Sequence, residues 1–431
     1  MRDIAISIIV FGLLPSVLRR PYVGVLLWSW IGYMNPHRLS WGFAYNFPFA
    51  YIVAIATFVG IIFSKEPKRI PMTPVVVALI ILNLWFLVTT LFAIYPDSAW
   101  HEWNKVIKIQ LMVFITLMIM TDRKRLHTLV WVVTMSIAFF GIKGGVFTIL
   151  NGGKNMVLGP PGSFIEGNTE IALALVMVLP LMRYLQLNSE NKWIQRGLGV
   201  AMLLTGLSIL GSYSRGAFLA GAAMAGFLWL KSRNKAWLTI ALIIVLPFMF
   251  KFMPDKWFSR MGTIDTYEED ASAMGRINAW WFAFNLAKDR PLVGGGFNTF
   301  ERDLFYLYAP VPEDFHDAHS IYFEMLGEHG FVGLGIFLLV GFLAWRTGSQ
   351  IIQLSRNHES QKWAHDLASM VQVSLLGYAV GGAFLGLAYF DLFYHLIAIL
   401  VMTRIVVARS LVMEEEQAAK QEPPPGIVIK Q

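Results

Sequence analysis

Long apolar stretches separated by short polar loops follow one another along most of this chain. A helix needs roughly 20 apolar residues to cross a bilayer, and many of these stretches approach that length. They lie near residues 3–18, 21–34, 42–64, 74–96, 105–121, 128–150, 168–187, 196–212, 216–230, 236–253, 321–346, 367–388 and 394–410. The first two are short and form either two spans or one hairpin. The pattern predicts an all-α polytopic membrane protein with a bundle of about 12 transmembrane helices.

Lysine and arginine alternate from loop to loop in a way that predicts orientation. The basic loops contain residues 65–69, 123–125, 192–196, 231–235 and 346–362, and by the positive-inside rule they face the cytoplasm. The loops at 97–104, 151–167, 213–215, 254–319 and 389–393 then face outward. The first apolar run ends at Arg19-Arg20-Pro21 without a small-residue cleavage site, so we expect no removable signal peptide.

One outward loop is far longer than the others. Residues 254–319 contain six Lys/Arg and eleven Asp/Glu, so this loop is acidic although the chain has a net charge of +7. Residues 276–284 form an aromatic, amphipathic pattern, which suits either a helix in the membrane interface or a helix packed on the bundle. The predicted organisation is therefore 1–253 transmembrane helices, 254–319 large periplasmic loop, 320–410 C-terminal transmembrane helices, and 411–431 disordered cytoplasmic tail.

Composition narrows the classes of function. The chain has no cysteine, which excludes disulfides, iron–sulfur clusters and thiolate zinc sites. With 56% hydrophobic residues and a mean hydropathy of +0.55, it is not a soluble globular protein. Its positive charges lie in short loops rather than on a soluble face, so they indicate membrane topology and not nucleic-acid binding.

Ionisable residues gather where the long outward loop enters an apolar segment. His319 and Ser320 precede this segment, and Glu324, Glu328 and His329 follow inside it. Charged groups at the mouth of a span are costly and often mark a substrate or proton site. We therefore place the candidate chemistry at His319, on the outward side of the membrane.

Three interpretations of His319 remain open from the residues alone. His316 and His319, with neighbouring carboxylates such as Glu313 and Asp317, could hold zinc or manganese. Alternatively, a neutral His319 imidazole accepts a proton, oriented by Asp317 or by a glutamate at the membrane face such as Glu324. The third interpretation is a histidine that only caps a helix.

Arginines on the outward side are candidate anion ligands. Arg215 lies in the short turn Ser-Tyr-Ser-Arg-Gly with Tyr213, against the positive-inside bias, and a guanidinium can grip phosphate oxygens as a fork. Arg276 follows Gly275 at the start of the aromatic helix. Arg290 precedes the run Pro-Leu-Val-Gly-Gly-Gly-Phe-Asn-Thr-Phe, whose glycines permit close backbone approach but lack the Lys-Ser/Thr of a phosphate loop.

The stretch from His319-Ser320 to Gly330 and Gly333 resembles the His-[Asn/Ser/Gln]-x9-Gly-x2-[Gly/Thr/Tyr] signature of bacterial O-antigen ligases of the WaaL type. The run at 291–300 resembles the turn that precedes this histidine across the ligase and polymerase family. The Ser-Tyr-Ser-Arg-Gly turn and the segment at 167–181 are also typical of the family. The resemblance covers roughly residues 70–410. Within the family, the N-terminal stretch is similar to a branch of exosortase-associated putative O-glycosylation ligases.

The resemblance implies a GT-C-like helical bundle that works at the periplasmic face of the bacterial inner membrane without a metal or other cofactor. It implies transfer of a glycan from undecaprenyl diphosphate to lipid A–core oligosaccharide. His319 corresponds to the base, and Arg215 and Arg276 correspond to the arginines for the diphosphate, with Arg290 as a rival. Expected partners are the lipid-linked glycan, the lipid A–core acceptor and membrane lipids, and no nucleic acid.

The chemistry of the residues agrees with this implication. A lipid-linked diphosphate is a good leaving group, so the remaining tasks are to deprotonate an acceptor hydroxyl and to stabilise charge on the departing diphosphate. A single displacement predicts inversion at the anomeric carbon. The alternatives are an O-antigen polymerase or a protein O-oligosaccharyltransferase with the same donor, or a transporter, which the gathering of polar residues at one membrane face disfavours.

Overall fold

The computed structural model describes residues 1–231, 235–251, 253–262 and 271–421. These residues form helices and loops, with no β-strand among them. The helices are α1 (Arg2–Arg19), α2 (Pro21–Met34), α3 (Phe49–Phe63), α4 (Pro74–Leu91), α5 (Pro96–Ile119), α6 (Arg123–Leu150), α7 (Asn168–Leu187), α8 (Lys192–Gly211), α9 (Arg215–Lys231), α10 (Lys235–Phe250), α11 (Asp255–Gly262), α12 (Ala271–Asp289), α13 (Arg302–Tyr308), α14 (Ile321–Ser355), α15 (Lys362–Gly381) and α16 (Asp391–Gln421).

Seven of the described helices are long and apolar enough to cross a membrane. Two shorter apolar helices, within α3 and α9, lie below that length. The prediction of an all-helical polytopic membrane protein is confirmed at this level. The number of about 12 spans stays a prediction, since seven of the described helices have the length and composition of a membrane span.

Several helices begin where the sequence supplies the chemistry for a helix start. Pro21, Pro74 and Pro96 occupy the first turns of α2, α4 and α5, where a missing N–H leaves no helical bond unmade. Asp122 caps α6 by accepting a hydrogen bond from the N–H of Arg125, and Asn191 caps α8 in the same way. Asp122 and Asn191 both lie at basic loops, so short-range hydrogen bonds fix where α6 and α8 begin.

The centre of the bundle is α7. Its residues from Ile171 to Val178 are all buried, and it packs against α6, α8, α9 and α15. A helix that is apolar on every side belongs inside a bundle rather than at its surface. The first turn of α7, with Thr169 and Glu170, is thereby held among these neighbouring helices at one end of the bundle.

Helix α14 is broken one-third of the way along. Gly330 has φ +68° and ψ −174°, a conformation that a residue with a Cβ rarely adopts. At the break, the N–H of Phe331 donates to the carbonyl of Pro291 instead of continuing the helix. The carbonyls of Gly327 and Glu328 accept from the N–H groups of Gly295 and Gly296. The glycine-rich run therefore serves as the cap of the broken helix.

The described part of the long loop at 254–319 is structured. It contains α11, α12 and α13. Helix α12 packs on α14, and its buried residues Ala279, Phe282, Ala283 and Leu286 form an apolar cluster with Leu304 and Phe305 of α13. Trp280 stacks on Phe323 with ring centroids 4.9 Å apart. Of the two predicted placements for this aromatic helix, the structure has the helix that packs on the bundle, with Trp281 left 52% exposed.

The last helix is longer than the apolar pattern indicated. α16 continues to Gln421, so residues 411–421 are helical where we predicted a disordered tail. Strong helix formers, with Glu414, Glu415 and Glu416 in succession and two alanines after them, extend a helix that the preceding span has already nucleated. The remaining residues of the predicted tail, 422–431, lie outside the described residues.

Candidate functional site

His319 is the last residue but one before α14, and its backbone is strained. It has φ +41°, in the left-handed region that is uncommon for residues other than glycine. Ser320 follows as the N-cap of α14. The side chain of His319 lines a cavity of about 530 Å³. Among the described residues, none hydrogen-bonds to its ring, so both ring nitrogens are available to a ligand.

The cavity beside His319 is strongly acidic, and we call it the acidic cavity. Its walls include Ser98, Asn298, Phe300 and Gly386 together with five carboxylates, Glu170, Glu301, Asp317, Glu324 and Glu328. No lysine or arginine is among the described lining residues. The cavity therefore accepts hydrogen bonds readily, and Glu170, Glu301 and Asp317 give it negative charge.

The surroundings of His319 favour its neutral form. Partial burial lowers the pKa of the His319 imidazole below its ordinary value, and the positive charge of Arg276 lowers it further, while Asp317 and Glu170 act in the opposite direction. A histidine with a lowered pKa is unprotonated at neutral pH and is able to accept a proton. This is the protonation state that a general base requires.

The two glutamates of α14 form the inner wall of the acidic cavity. Glu324 accepts a hydrogen bond of 3.1 Å from the N–H of Ala388, and its other oxygen has no hydrogen-bond partner among the described residues. Glu328 accepts from the N–H of Asn298 at 2.8 Å and from the hydroxyl of Tyr389. The two side chains are one helical turn apart, so both face the same side of the helix.

Behind Glu328 lies a buried chain of hydrogen bonds. The hydroxyl of Tyr389 is 2.7 Å from His329 Nε2, and His329 Nδ1 is 2.7 Å from Thr89 Oγ1. His329 is fully buried, and the rings of Phe86 and Phe297 pack against it. This network ties α4, α14 and the loop before α16 together and fixes the wall that carries Glu328.

Three arginines meet in a second pocket, which we call the arginine pocket. Arg215, Arg260 and Arg276 line it, together with Tyr213 and Thr169. The Nε of Arg260 also donates to the carbonyl of Tyr213 at 3.2 Å. Guanidinium groups in such an arrangement are chemically suited to an anion with multiple oxygens, such as a phosphate or diphosphate.

The two pockets share walls. Thr169 lines the arginine pocket and Glu170, the next residue, lines the acidic cavity. In the same way Leu385 belongs to the arginine pocket and Gly386 to the acidic cavity. The outward end of α7 and the loop before α16 thus separate a positively charged pocket from a negatively charged cavity.

Unusual backbone conformations concentrate at this pair of pockets. Among the described residues other than glycine, Asn35, Tyr213, Asn298 and His319 have positive φ, and the last three line one of the two pockets. Such conformations cost energy and persist where the surrounding structure imposes them, which is often at functional sites.

The structure separates the candidates that the sequence left together. Arg276 lies in the same pocket as Arg215, whereas Arg290 donates to the carbonyl of Phe92 and does not line that pocket. Tyr213 lines the arginine pocket and its hydroxyl donates to the carbonyl of Gly153 at 2.7 Å. Asp317 and Glu324 both line the acidic cavity with His319.

His316 is placed differently from His319. Its Nδ1 is 3.1 Å from Asp314 Oδ1, and its ring lies against the backbone of Gly275, which leaves no room there for a Cβ. In the described parts of the chain, no three His, Asp or Glu side chains are arranged to hold a metal ion. Among the described residues, the side chains of 313–319 are therefore not arranged as the ligands of a metal site.

Several lining residues were not singled out by the sequence reasoning. Arg260, Glu170, Glu301 and Asn298 are polar residues of outward segments, and nothing in their local sequence distinguishes them from solvated surface. The signal that was available for Glu170 was its place three residues after Gly167 in a stretch already noted as typical of the family. Glu328 was noted at the span mouth but was not assigned a role.

Comparison with family models gives two adjacent matches. Residues 1–190 match a family of unknown function (DUF5935). Residues 200–338, which contain Arg215, Arg276 and His319, match the O-antigen ligase family. Residues 200–338 thus form a domain of the O-antigen ligase family. A comparison with curated proteins finds no match.

Both matched regions contribute to the site. The O-antigen ligase region supplies the arginines and His319, while Ser98, Thr169 and Glu170 come from the region of unknown function. The loop that contains Phe384 and Gly386 lies beyond both. The family implies a glycosyltransferase-like enzyme that acts on a lipid-linked glycan and a lipid acceptor in general, within lipopolysaccharide biosynthesis.

Proposed function

We propose that this protein is a glycan ligase that transfers a glycan from undecaprenyl diphosphate to lipid A–core oligosaccharide at the periplasmic face of the bacterial inner membrane. The observation that carries the proposal is the contact between two pockets of opposite charge, with Arg215, Arg260 and Arg276 in one and His319 in the other. A diphosphate leaving group and a neutral hydroxyl nucleophile require these two environments side by side.

In this proposal the arginine pocket holds the diphosphate of the donor. Arg215 and Arg276 each offer a planar fork to phosphate oxygens, and Arg260 adds positive charge at the same pocket. As the bond between the anomeric carbon and the diphosphate breaks, negative charge grows on the leaving oxygen. Guanidinium groups that are already in place stabilise that charge without reorganisation, so the reaction requires no metal ion or other cofactor.

His319 is the base. Its neutral ring takes the proton of an acceptor hydroxyl as the hydroxyl oxygen bonds to the anomeric carbon. The glycan moves to the acceptor, the proton moves to His319, and undecaprenyl diphosphate leaves with the electron pair of the broken bond. One displacement from the side opposite the leaving group inverts the anomeric configuration. Asp317 and Glu170 stabilise the imidazolium that forms, because their negative charges raise its pKa.

The acceptor distinguishes this ligase from two related enzymes. A protein O-oligosaccharyltransferase or an O-antigen polymerase would use the same donor, arginines and base with a different hydroxyl. The branch of exosortase-associated ligases, which the N-terminal region resembles, favours keeping the protein acceptor as the second candidate. The topology that places the site at the periplasmic face rests on the basic loops, which lie at the opposite ends of the spans from His319.

The test uses the purified full-length protein in detergent or nanodiscs. It is incubated with an undecaprenyl diphosphate-linked glycan and with either lipid A–core or a pilin-like protein. We expect a gel shift of the lipid A–core band and release of undecaprenyl diphosphate in equal amount. Modification of the protein acceptor alone would establish the second candidate, and donor polymerisation without any acceptor would establish a polymerase.

A further inference from the structure

In the part of the chain that the structure describes, the charged side chains that line the two adjoining pockets have opposite signs. The described lining of the arginine pocket contains three arginines and no carboxylate, and that of the acidic cavity contains five carboxylates and no lysine or arginine. A substrate group that enters either pocket must have a charge that is compatible with the side chains there. The donor diphosphate fits one side and is repelled from the other, so the charges also fix the direction in which the donor binds.

We propose that the acidic cavity is the acceptor subsite and that it selects a terminal acceptor sugar that carries no phosphate and no carboxylate. A neutral or amino-bearing sugar is accepted, and a phosphorylated or acidic sugar is rejected. This inference rests on the proposed function and deepens it by naming the chemical class of the acceptor.

The position of His319 places the acceptor in this cavity. A general base must reach the proton that it removes, so the acceptor hydroxyl lies within hydrogen-bond distance of the His319 ring. That ring lines the acidic cavity, and none of the described residues hydrogen-bonds to it. The leaving diphosphate lies on the opposite side of the anomeric carbon, which is the side of the arginine pocket.

The arrangement of the carboxylates suits a sugar rather than a cation. They belong to four segments, at Glu170, at Glu301, at Asp317 and at the Glu324–Glu328 turn of α14, and no three of the described acidic side chains converge on one point. Carboxylates spread around a cavity of about 530 Å³ accept hydrogen bonds from several hydroxyls of one ligand. Glu324 still has one oxygen without a described partner.

Glu170, Glu301 and Asp317 oppose an anionic sugar. A phosphate or carboxylate in the cavity stands within a few ångströms of negative charges in a partly desolvated space, where screening is weak. An amino sugar gains attraction instead. Since each tenfold ratio in rate corresponds to about 1.4 kcal/mol, even one such contact gives a discrimination of about tenfold or more.

The experiment compares four acceptors that share the gluco configuration and differ in charge through the group at C2 or C6. They are lipid-anchored disaccharides that end in glucose, glucosamine, glucuronic acid or glucose 6-phosphate, assayed with the full-length protein, the same donor and a parallel reaction with lipid A–core. We expect transfer to glucose and glucosamine, and at least about tenfold lower kcat/KM for the two anionic acceptors. Equal transfer to all four would overturn the inference while leaving the proposed function intact.

A charge reversal at the edge of the cavity sharpens the test. Glu301 is exposed, lines the acidic cavity, and makes no side-chain cap to α13 although it occupies the N-cap position. Glu301→Lys should raise kcat/KM for the glucose 6-phosphate acceptor relative to the glucose acceptor by about tenfold. The matched control is Glu313→Lys, because Glu313 is also an exposed outward glutamate but does not line the cavity.

The outcomes separate the two proposals. An unchanged acceptor ratio in Glu301→Lys, or the same change in Glu313→Lys, contradicts an acceptor subsite in this cavity. Transfer to lipid A–core together with no transfer to any of the four simple acceptors also contradicts it, since the acceptor would then be recognised elsewhere. Failure with lipid A–core and all four acceptors contradicts the proposed function itself.

Discussion

The backbone N–H of Gly295 donates a hydrogen bond of 2.8 Å to the carbonyl of Gly327, and this bond joins the glycine-rich turn to the broken helix that follows His319. Gly294, Gly296 and Gly330 have positive φ around it. The turn thus substitutes for the helical hydrogen bonds that α14 loses at its break. Two motifs that are separate in the sequence form one structural unit, and that unit holds the wall of the acidic cavity.

Gly330→Ala should destabilise the protein by about 2–4 kcal/mol. An alanine here would have to adopt a backbone conformation that is open almost only to glycine, which costs about 1–3 kcal/mol. Its Cβ would also lie 2.6 Å from the carbonyl oxygen of Leu292, which adds an overpacking cost. The measurement is thermal unfolding in detergent. Gly341→Ala, on the same helix with nothing within 4 Å of its Cβ, is the control and should not be destabilising. Equal melting temperatures for the two variants would contradict this account.

His319→Ala should reduce glycan transfer by about 10²–10⁴-fold while the protein stays folded in the membrane. The reason is loss of the proton acceptor at the acidic cavity. The control is His316→Ala, because His316 is paired with Asp314 and does not line the cavity. Transfer at the wild-type rate by His319→Ala, or an equal loss in both variants, would remove His319 from the role of base.

Arg215→Lys and Arg276→Lys should each reduce turnover despite keeping the charge, because a lysine cannot hold two phosphate oxygens as a fork. Their combined loss should be smaller than the product of the single losses, since both act on one leaving group. Donor binding and turnover are measured for the two single variants and the double variant. Arg290→Lys is the control, as Arg290 bonds to the carbonyl of Phe92 outside the arginine pocket. If Arg290→Lys were inactive and Arg276→Lys were active, the second arginine that binds the diphosphate would be Arg290, beside the glycine-rich turn.

The pH dependence of kcat/KM should have an acidic limb below pH 6.5. Burial, with the charge of Arg276, lowers the pKa of His319 from its ordinary value of 6.5, so the neutral base persists as the pH falls and is lost only below that value. Glu170→Gln removes a carboxylate that raises this pKa, so the limb should move to still lower pH. Glu313→Gln should leave it in place. A limb that moves upward in Glu170→Gln would contradict the assignment of the limb to His319.

Activity should survive treatment with EDTA and preparation in metal-free buffer. In the proposed mechanism, Arg215, Arg260 and Arg276 supply the positive charge that a divalent ion would supply to a diphosphate in other enzymes. The measurement is turnover before and after chelation, with readdition of Mg²⁺ or Mn²⁺. Loss on chelation and recovery with either ion would return the segment 313–319 to consideration as a metal site.

The sequence by itself determined the class of architecture and the position of the chemistry along the chain. Helices follow from apolar runs because a backbone in lipid must satisfy its own hydrogen bonds, and only local sequence is needed for that. Arg215 and His319 were also identifiable from the local sequence. Arg215 is a positive charge in a loop that the positive-inside rule places outward, and His319 lies where an apolar segment begins. The preference for Arg276 over Arg290 rested on family resemblance alone.

The tertiary structure decided which outward residues share a pocket. Glu170, Arg260 and Glu301 lie far apart in the chain, and their local sequences are those of ordinary polar loops, so no periodicity indicates where they meet. They meet because α7, α11, α12, the segment before α13 and the loop before α16 pack at one end of the bundle. The purpose of the glycine-rich turn was hidden for the same reason, because its hydrogen-bond partners at Gly327 and Glu328 are some 30 residues away and appear only when α14 breaks.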